Sequence, residues 1–136
     1  MAEIEQVQSP LDLAQAQDLR RSVLCGELHL SREAVEDALD GGAGVYLVRE
    51  GSKPVATARL LKRGDDWMAE LLAVLPAQRR RGLGRALLER LAERARSQGA
   101  TALKAVAPEP AQLFFQACGY QALAAEGTLT LYQKPL

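Results

Sequence analysis

The sequence predicts an α+β fold, one mixed and mostly antiparallel sheet flanked by helices. Three observations lead there. Apolar residues recur at helical spacing in several segments, β-rich segments separated by turn residues fill the middle of the chain, and the element order reads β-α-α-β-β-β-α-β-α-β-β. The middle strands follow one another through short turns, which gives an antiparallel meander, whereas the later ones are separated by helices.

Taken in order, Ile4 and Val7 mark a short first strand within Glu3–Gln8. Ser9-Pro10 is a helix start, since Ser caps the first turn and Pro suits the first helical position. The helix is expected to run to about Val23 with Leu11, Ala14, Ala16, Leu19 and Val23 as its buried stripe. Ser31 caps a second helix, Arg32–Leu39, with Ala34, Val35, Ala38 and Leu39 facing inward, and Gly41-Gly42 stops it. Strands are expected at Val45–Arg49, Val55–Arg63 and Trp67–Leu75, with turns at Glu50–Lys53 and Gly64–Asp66. The clearest helix spans about Leu83 to Gln98, where Leu83, Ala86, Leu87, Leu91 and Ala95 share a face and Gly99 ends it. Thr101–Val106 is a strand, Ala111–Cys118 a short helix closed by Gly119, and Tyr120–Leu123 with Thr128–Tyr132 a final hairpin.

The chain has 136 residues, so the whole of it, 1-136, is expected to form a single domain. Lys+Arg and Asp+Glu number 17 each, so no basic excess points to nucleic acid. The longest apolar run, Leu71 to Ala77, contains Pro76 and is far short of the ~20 residues a membrane span needs. The acidic, polar segment Met1–Pro10 is unlike a secretory signal, and two cysteines, Cys25 and Cys118, make no disulfide framework; a cytoplasmic setting is expected. One His and no CxxC pair leave no expectation of a metal.

The chemistry is concentrated in Val74-Leu75-Pro76-Ala77-Gln78-Arg79-Arg80-Arg81-Gly82-Leu83-Gly84-Arg85. A strand ends, an arginine-rich loop follows, and a helix opens between two glycines. The first turn of a helix carries backbone N–H groups without internal partners and the positive end of the helix dipole. Glycines let a ligand approach that backbone, and arginines add charge-assisted donors, so the segment reads as a pyrophosphate cradle. It is not a Walker A loop, because no Gly-Lys-Ser/Thr follows. Nor is it a dinucleotide fingerprint, because the third glycine position is Leu87 and the preceding strand belongs to a meander.

Arg79, Gly82 and Gly84 do fill the pattern R/Q-x-x-G-x-G/A, which resembles the coenzyme A loop of the GCN5-related N-acetyltransferase (GNAT) superfamily. Ala111-Gln112-Leu113-Phe114-Phe115-Gln116-Ala117-Cys118-Gly119-Tyr120 is similar to a second segment of that family, A-x-x-F-Y-x-x-x-G-F/Y. Asp18–Glu27 and Pro54–Leu60 look like the ElaA/YjcF branch. The resemblance covers nearly the whole chain. It implies an acetyl-CoA-dependent N-acetyltransferase in which an amine attacks the thioester directly, with acetyl-CoA as cosubstrate and a small-molecule or peptide amine as acceptor.

It further implies that Leu72 and Val74 line the pantetheine path, beside a bulge where the strand splays from its neighbour. The Val74 amide would face the thioester oxygen, and the loop from Arg80 through Arg81, Gly82, Leu83 and Gly84 to Arg85, with Arg79, would hold the pyrophosphate. Phe114 and Phe115 would be core residues that also touch the cofactor. An amine must lose a proton before it attacks. Glu70 is the first candidate base, since four residues of regular strand place it on Val74's face; Glu27 and His29 are candidates for binding the acceptor or serving as base. Two departures from the family pattern stand out. Phe115 occupies the place where relatives have a proton-donating Tyr, leaving Cys118, Tyr132 or water as the donor, and Pro108-Glu109-Pro110 replaces a cofactor-binding Asn. A non-catalytic acyl-CoA sensor on the same fold is the alternative reading. The last strand, Thr128–Tyr132, is expected at a sheet edge where a homodimer could form.

Overall fold

The computed structural model describes residues 3–136; residues 1 and 2, part of the expected single domain, lie outside the described residues. Seven strands form one sheet: β1 (Glu3–Gln6), β2 (Gly44–Glu50), β3 (Lys53–Arg63), β4 (Asp66–Val74), β5 (Ala102–Pro108), β6 (Gln121–Glu126) and β7 (Leu129–Pro135). Their spatial order is β1-β2-β3-β4-β5-β7-β6, and every pairing is antiparallel except β4 with β5. Four α-helices flank it: α1 (Pro10–Arg20), α2 (Arg32–Val35), α3 (Leu83–Ser97) and α4 (Gln112–Ala117). The class and element order are those the sequence predicts.

Strand alternation sorts the core into two layers. On one face Leu87, Leu88 and Leu91 of α3, with Ala95, pack on Val48, Ala56, Ala58, Leu60, Leu103 and Ala105. Phe115 of α4 lies edge-on to Tyr120 and stacks on Tyr132, at centroid distances of 5.4 and 6.0 Å. On the other face Ala16 and Leu19 of α1 cover Val45 and Leu47, while Val23, Leu24 and Val35 cover Ala73. Ser9 accepts a hydrogen bond from Asp12 N (3.1 Å), and Pro10 takes the first helical position of α1.

Three expectations change. Leu11 is 71% exposed and Ala14 is exposed, because the inward stripe of α1 starts at Leu13. α1 then widens into one π-helical stretch, Arg21–Glu27, that carries the chain past Val23. The second helix stops at Val35, leaving Ala34, Ala38 and Leu39 exposed. The Asp37 carboxylate takes the Leu39 amide (3.0 Å) and the Arg59 guanidinium, a local side-chain bond that competes with the helical ladder. Finally, β7 lies between β5 and β6, so the edge belongs to β6 and not to the last strand. The hairpin folds back outside β7, whose Leu129–Pro135 pairs along the whole of β5.

Arg59 is the unexpected core residue, 1% exposed on the α1 face of β3. Its guanidinium donates to Asp37 (2.7 and 2.9 Å), Asp40 (3.2 Å) and Glu70 (2.7 Å). Arg20, also buried, donates to Asp40 at 2.8 Å, while its Nε and Nη2 meet no acceptor among the described residues. A buried cation needs such partners, and the network ties the segment after α2 to the centre of the sheet.

Candidate active site

The split between β4 and β5 opens the site. The two strands share a single registered pair, Met68 with Lys104, near the start of β4, and diverge beyond it. Beside the split, β4 carries a bulge. Arg59 pairs with Glu70 but Thr57 pairs with Ala73, so β4 has one extra residue there, and Leu71 adopts φ 51°. The bulge corrects the expected placement of Glu70. An extra residue inverts the alternation, so Glu70 faces α1 and α2, whereas Val74 faces α3. Glu70 is absent from the walls of the cleft, and its two oxygens already accept from Arg59 and Arg63 (2.6–3.2 Å).

The backbone at the end of β4 faces the split. Leu75 N–H donates to Val55 O (3.0 Å) across to β3. Because antiparallel bonding alternates from residue to residue, the N–H and C=O of Val74 turn the other way, towards β5. A cleft of about 630 Å³ runs along this free edge, with Leu72 and Val74, Arg79, Arg80, Gly82 to Arg85, and Phe114 among its walls.

The loop after β4 leads directly into the start of α3. Gly82 sits at φ 79° as the N-cap of α3, with no side-chain cap, and the first helical bond runs from Ala86 N to Gly82 O (2.9 Å). The amides of Leu83, Gly84 and Arg85 therefore precede the ladder and open on the cleft. Arg80 also lies in the left-handed region, at φ 63°, so two left-handed residues, Arg80 and Gly82, shape the loop. Gly84 is required for a different reason. A Cβ there would stand 3.0 Å from the Phe114 ring, which packs over the helix start. Arg85 reaches to Ala117 O (2.9 Å) and ties α3 to α4.

Other predicted residues fall elsewhere. Arg81 turns out of the cleft to Glu50 (3.0 Å), and Phe115 is buried in the aromatic stack, away from the walls. His29 is exposed at φ 59° and does not line the cleft. Glu27, at the end of the π-helical stretch, does line it and forms a two-pronged pair with Arg79 (2.5 and 2.6 Å). The guanidinium holds the Glu27 carboxyl below the usual carboxylate range. Cys118, the residue just past α4, borders the cleft as a buried side chain, and desolvation pushes its thiol above the ordinary value. The Tyr132 hydroxyl accepts from Gln116 Nε2 (2.9 Å). No group of three His, Cys, Asp or Glu placed to hold a metal occurs among the described residues, and no described helix is long and apolar enough to cross a membrane.

The pairing of Glu27 with Arg79 across 52 residues, and the position of the bulge within an unbroken apolar run, leave no signal in the sequence.

A sheet split beside a bulge, with an uncapped glycine-rich helix start at its mouth, is the layout that the resemblance to N-acetyltransferases implies. The sequence profile of the Acetyltransferase (GNAT) family matches residues 11–120, and the chain belongs to that family. It is 32% identical over 122 residues to the uncharacterized protein YyaT of Bacillus subtilis (strain 168), covering 87% of this chain and 82% of that protein. The crystal structure of a candidate N-acetyltransferase from Lactobacillus plantarum superposes with a TM-score of 0.87 at 26% identity, over 99% of this chain and 98% of that one. Escherichia coli ElaA has the same fold at 21% identity, with a TM-score of 0.80 over 98% and 99%.

Proposed function

We propose that this protein transfers the acetyl group of acetyl-CoA to a primary amine by direct attack within a ternary complex. The observation that carries the reading is the continuity of the cleft, from the uncapped start of α3 to the free edge of β4. A pyrophosphate suits the Leu83–Arg85 amides, with Arg80 and Arg85 as neighbouring cations. An extended pantetheine pairs with β4 as an added strand. Phe114 covers the cofactor. A Thermoplasma acidophilum PaiA N-acetyltransferase of the same fold, 13% identical with a TM-score of 0.82, has been solved in complex with coenzyme A.

In this reading the amine lone pair attacks the thioester carbonyl carbon, and the oxygen gathers negative charge against the Val74 N–H. In other enzymes one such donor is worth roughly a hundred- to a thousandfold in rate. The C–S bond then breaks and the thiolate leaves. With a thiol pKa of ~8.5 it needs little help from an acid near neutral pH, in keeping with Phe115 where relatives have Tyr. The proton lost by the amine goes to a carboxylate. Glu27 is the better-placed base, since it borders the cleft while Glu70 is enclosed by two arginines.

Calorimetry with coenzyme A and a thiol-release assay over an amine panel test the proposal. Wild type binds coenzyme A and releases thiol with at least one amine, and Gly82→Glu, which sets bulk and negative charge in the cradle, abolishes both. Glu27→Gln lowers turnover strongly and Glu70→Gln only mildly. Absence of coenzyme A binding overturns the reading; binding without turnover on any amine favours the sensor.

A further inference from the structure

Arg79 does two things at once. Its Nη atoms clamp Glu27 at 2.5 and 2.6 Å, and its Nε donates to Val74 O at 3.1 Å. That carbonyl belongs to the free edge of β4, and the bond therefore occupies a backbone acceptor that an added pantetheine strand would use. Glu27 comes from the helical side of the cleft and Arg79 from the loop, so the pair spans the cleft beside Val74. The other loop arginines are disposed differently. Arg81 is paired with Glu50 outside the cleft, and Arg80 lines it with no ion pair among the described residues.

We propose that the Glu27–Arg79 pair is a latch across the coenzyme slot, opened by the coenzyme itself. The inference rests on the acetyl-CoA reading above and adds to it. The incoming pyrophosphate competes with Glu27 for the Arg79 guanidinium, to which both present paired oxygens. When Arg79 turns to the phosphates, the Val74 carbonyl is released to the pantetheine, and the Glu27 carboxylate loses its cation and becomes available to a proton. The base is thus armed only when the acetyl donor is in place. The latch yields readily because both partners are more than a third exposed, and such exposed pairs hold only weakly.

A closed latch opposes the coenzyme, so breaking it from the Glu27 side must favour binding. Titration calorimetry with coenzyme A is the measurement, on wild type, Glu27→Gln and Glu50→Gln. The expected result is a Kd two- to fivefold lower for Glu27→Gln, about what an exposed ion pair supplies, and an unchanged Kd for Glu50→Gln. Glu50→Gln removes, at the end of β2, the carboxylate that pairs with Arg81 of the same loop without touching the slot, so it controls for simple loss of negative charge. Glu27→Ala gives the same sign, and thermal unfolding confirms that each variant is folded. An equal or weaker affinity in both Glu27 variants, or equal tightening in Glu50→Gln, overturns the latch while leaving the transferase reading standing. Failure of wild type to bind coenzyme A overturns both.

Discussion

At the scale of single residues, the contact between Gly84 and Phe114 couples a backbone position to a cleft wall. A methyl group at 84 would meet the Phe114 ring at 3.0 and 3.2 Å, tighter than most such contacts, so the ring must give by a few tenths of an ångström. Phe114 is only half-buried, and movement costs the fold little but narrows the cleft. Gly84→Ala is therefore expected to weaken coenzyme A binding about tenfold, or about 1.4 kcal/mol, with an unfolding midpoint close to wild type. Calorimetry paired with thermal melting checks it, and unchanged affinity would mean the ring yields outward. The glycine pattern was visible in the sequence, but its cause was not: only coordinates distinguish Gly82, needed for its positive φ, from Gly84, needed for space.

At the scale of elements, legibility followed how far each element depends on its own residues. α3 was readable almost to the residue because a self-contained stripe defines it. α2 was not, because its end is set by Arg59, more than 20 residues away, drawing Asp37 into the network. The bulge in β4 is implied by the family resemblance, but its position is not legible. All of Leu71–Leu75 is apolar, so no alternation marks where the register slips, and a regular strand would put Glu70 on the opposite face. Two substitutions separate local from packed contributions. Ser9→Ala removes the α1 cap and should cost about 1 kcal/mol. Leu91→Ala, at a fully buried position of α3, should cost about 3 kcal/mol. Equilibrium urea unfolding measures both, and a larger loss at Ser9 would reverse the ranking.

At the scale of the whole molecule, the buried charges set the response to acid. The Arg59 hydrogen bonds, assisted by the Leu39 amide, hold the Asp37 carboxyl at about 2, below its ordinary 3.8. A lowered folded-state value adds stability that is complete above pH 3.8 and disappears as pH falls from there through about 2. Asp37 is partly exposed, so its contribution after screening is about 1 kcal/mol. The stability gap between wild type and Asp37→Asn should be present at pH 7 and close as the pH falls towards 2, in denaturant titrations at each pH. A gap that persists at the acid end would remove Asp37 as its source. Class and the order of elements along the chain could be read from composition and spacing, because they follow from which faces are apolar, whereas the insertion of β7 between β5 and β6 could not. The ion network could not, since nothing in the sequence marks Arg20 and Arg59 as interior.

The lone rung between Met68 and Lys104 has a mechanical consequence. It divides the sheet into two leaves, β1–β4 and β5–β7, joined at the spine by α3 and by that one register pair. Each leaf carries its own hydrogen-bonded ladder, so backbone amides of the two should exchange with solvent at separate rates. Anything that threads the gap would bind the pages together, and the protein would then open as one volume.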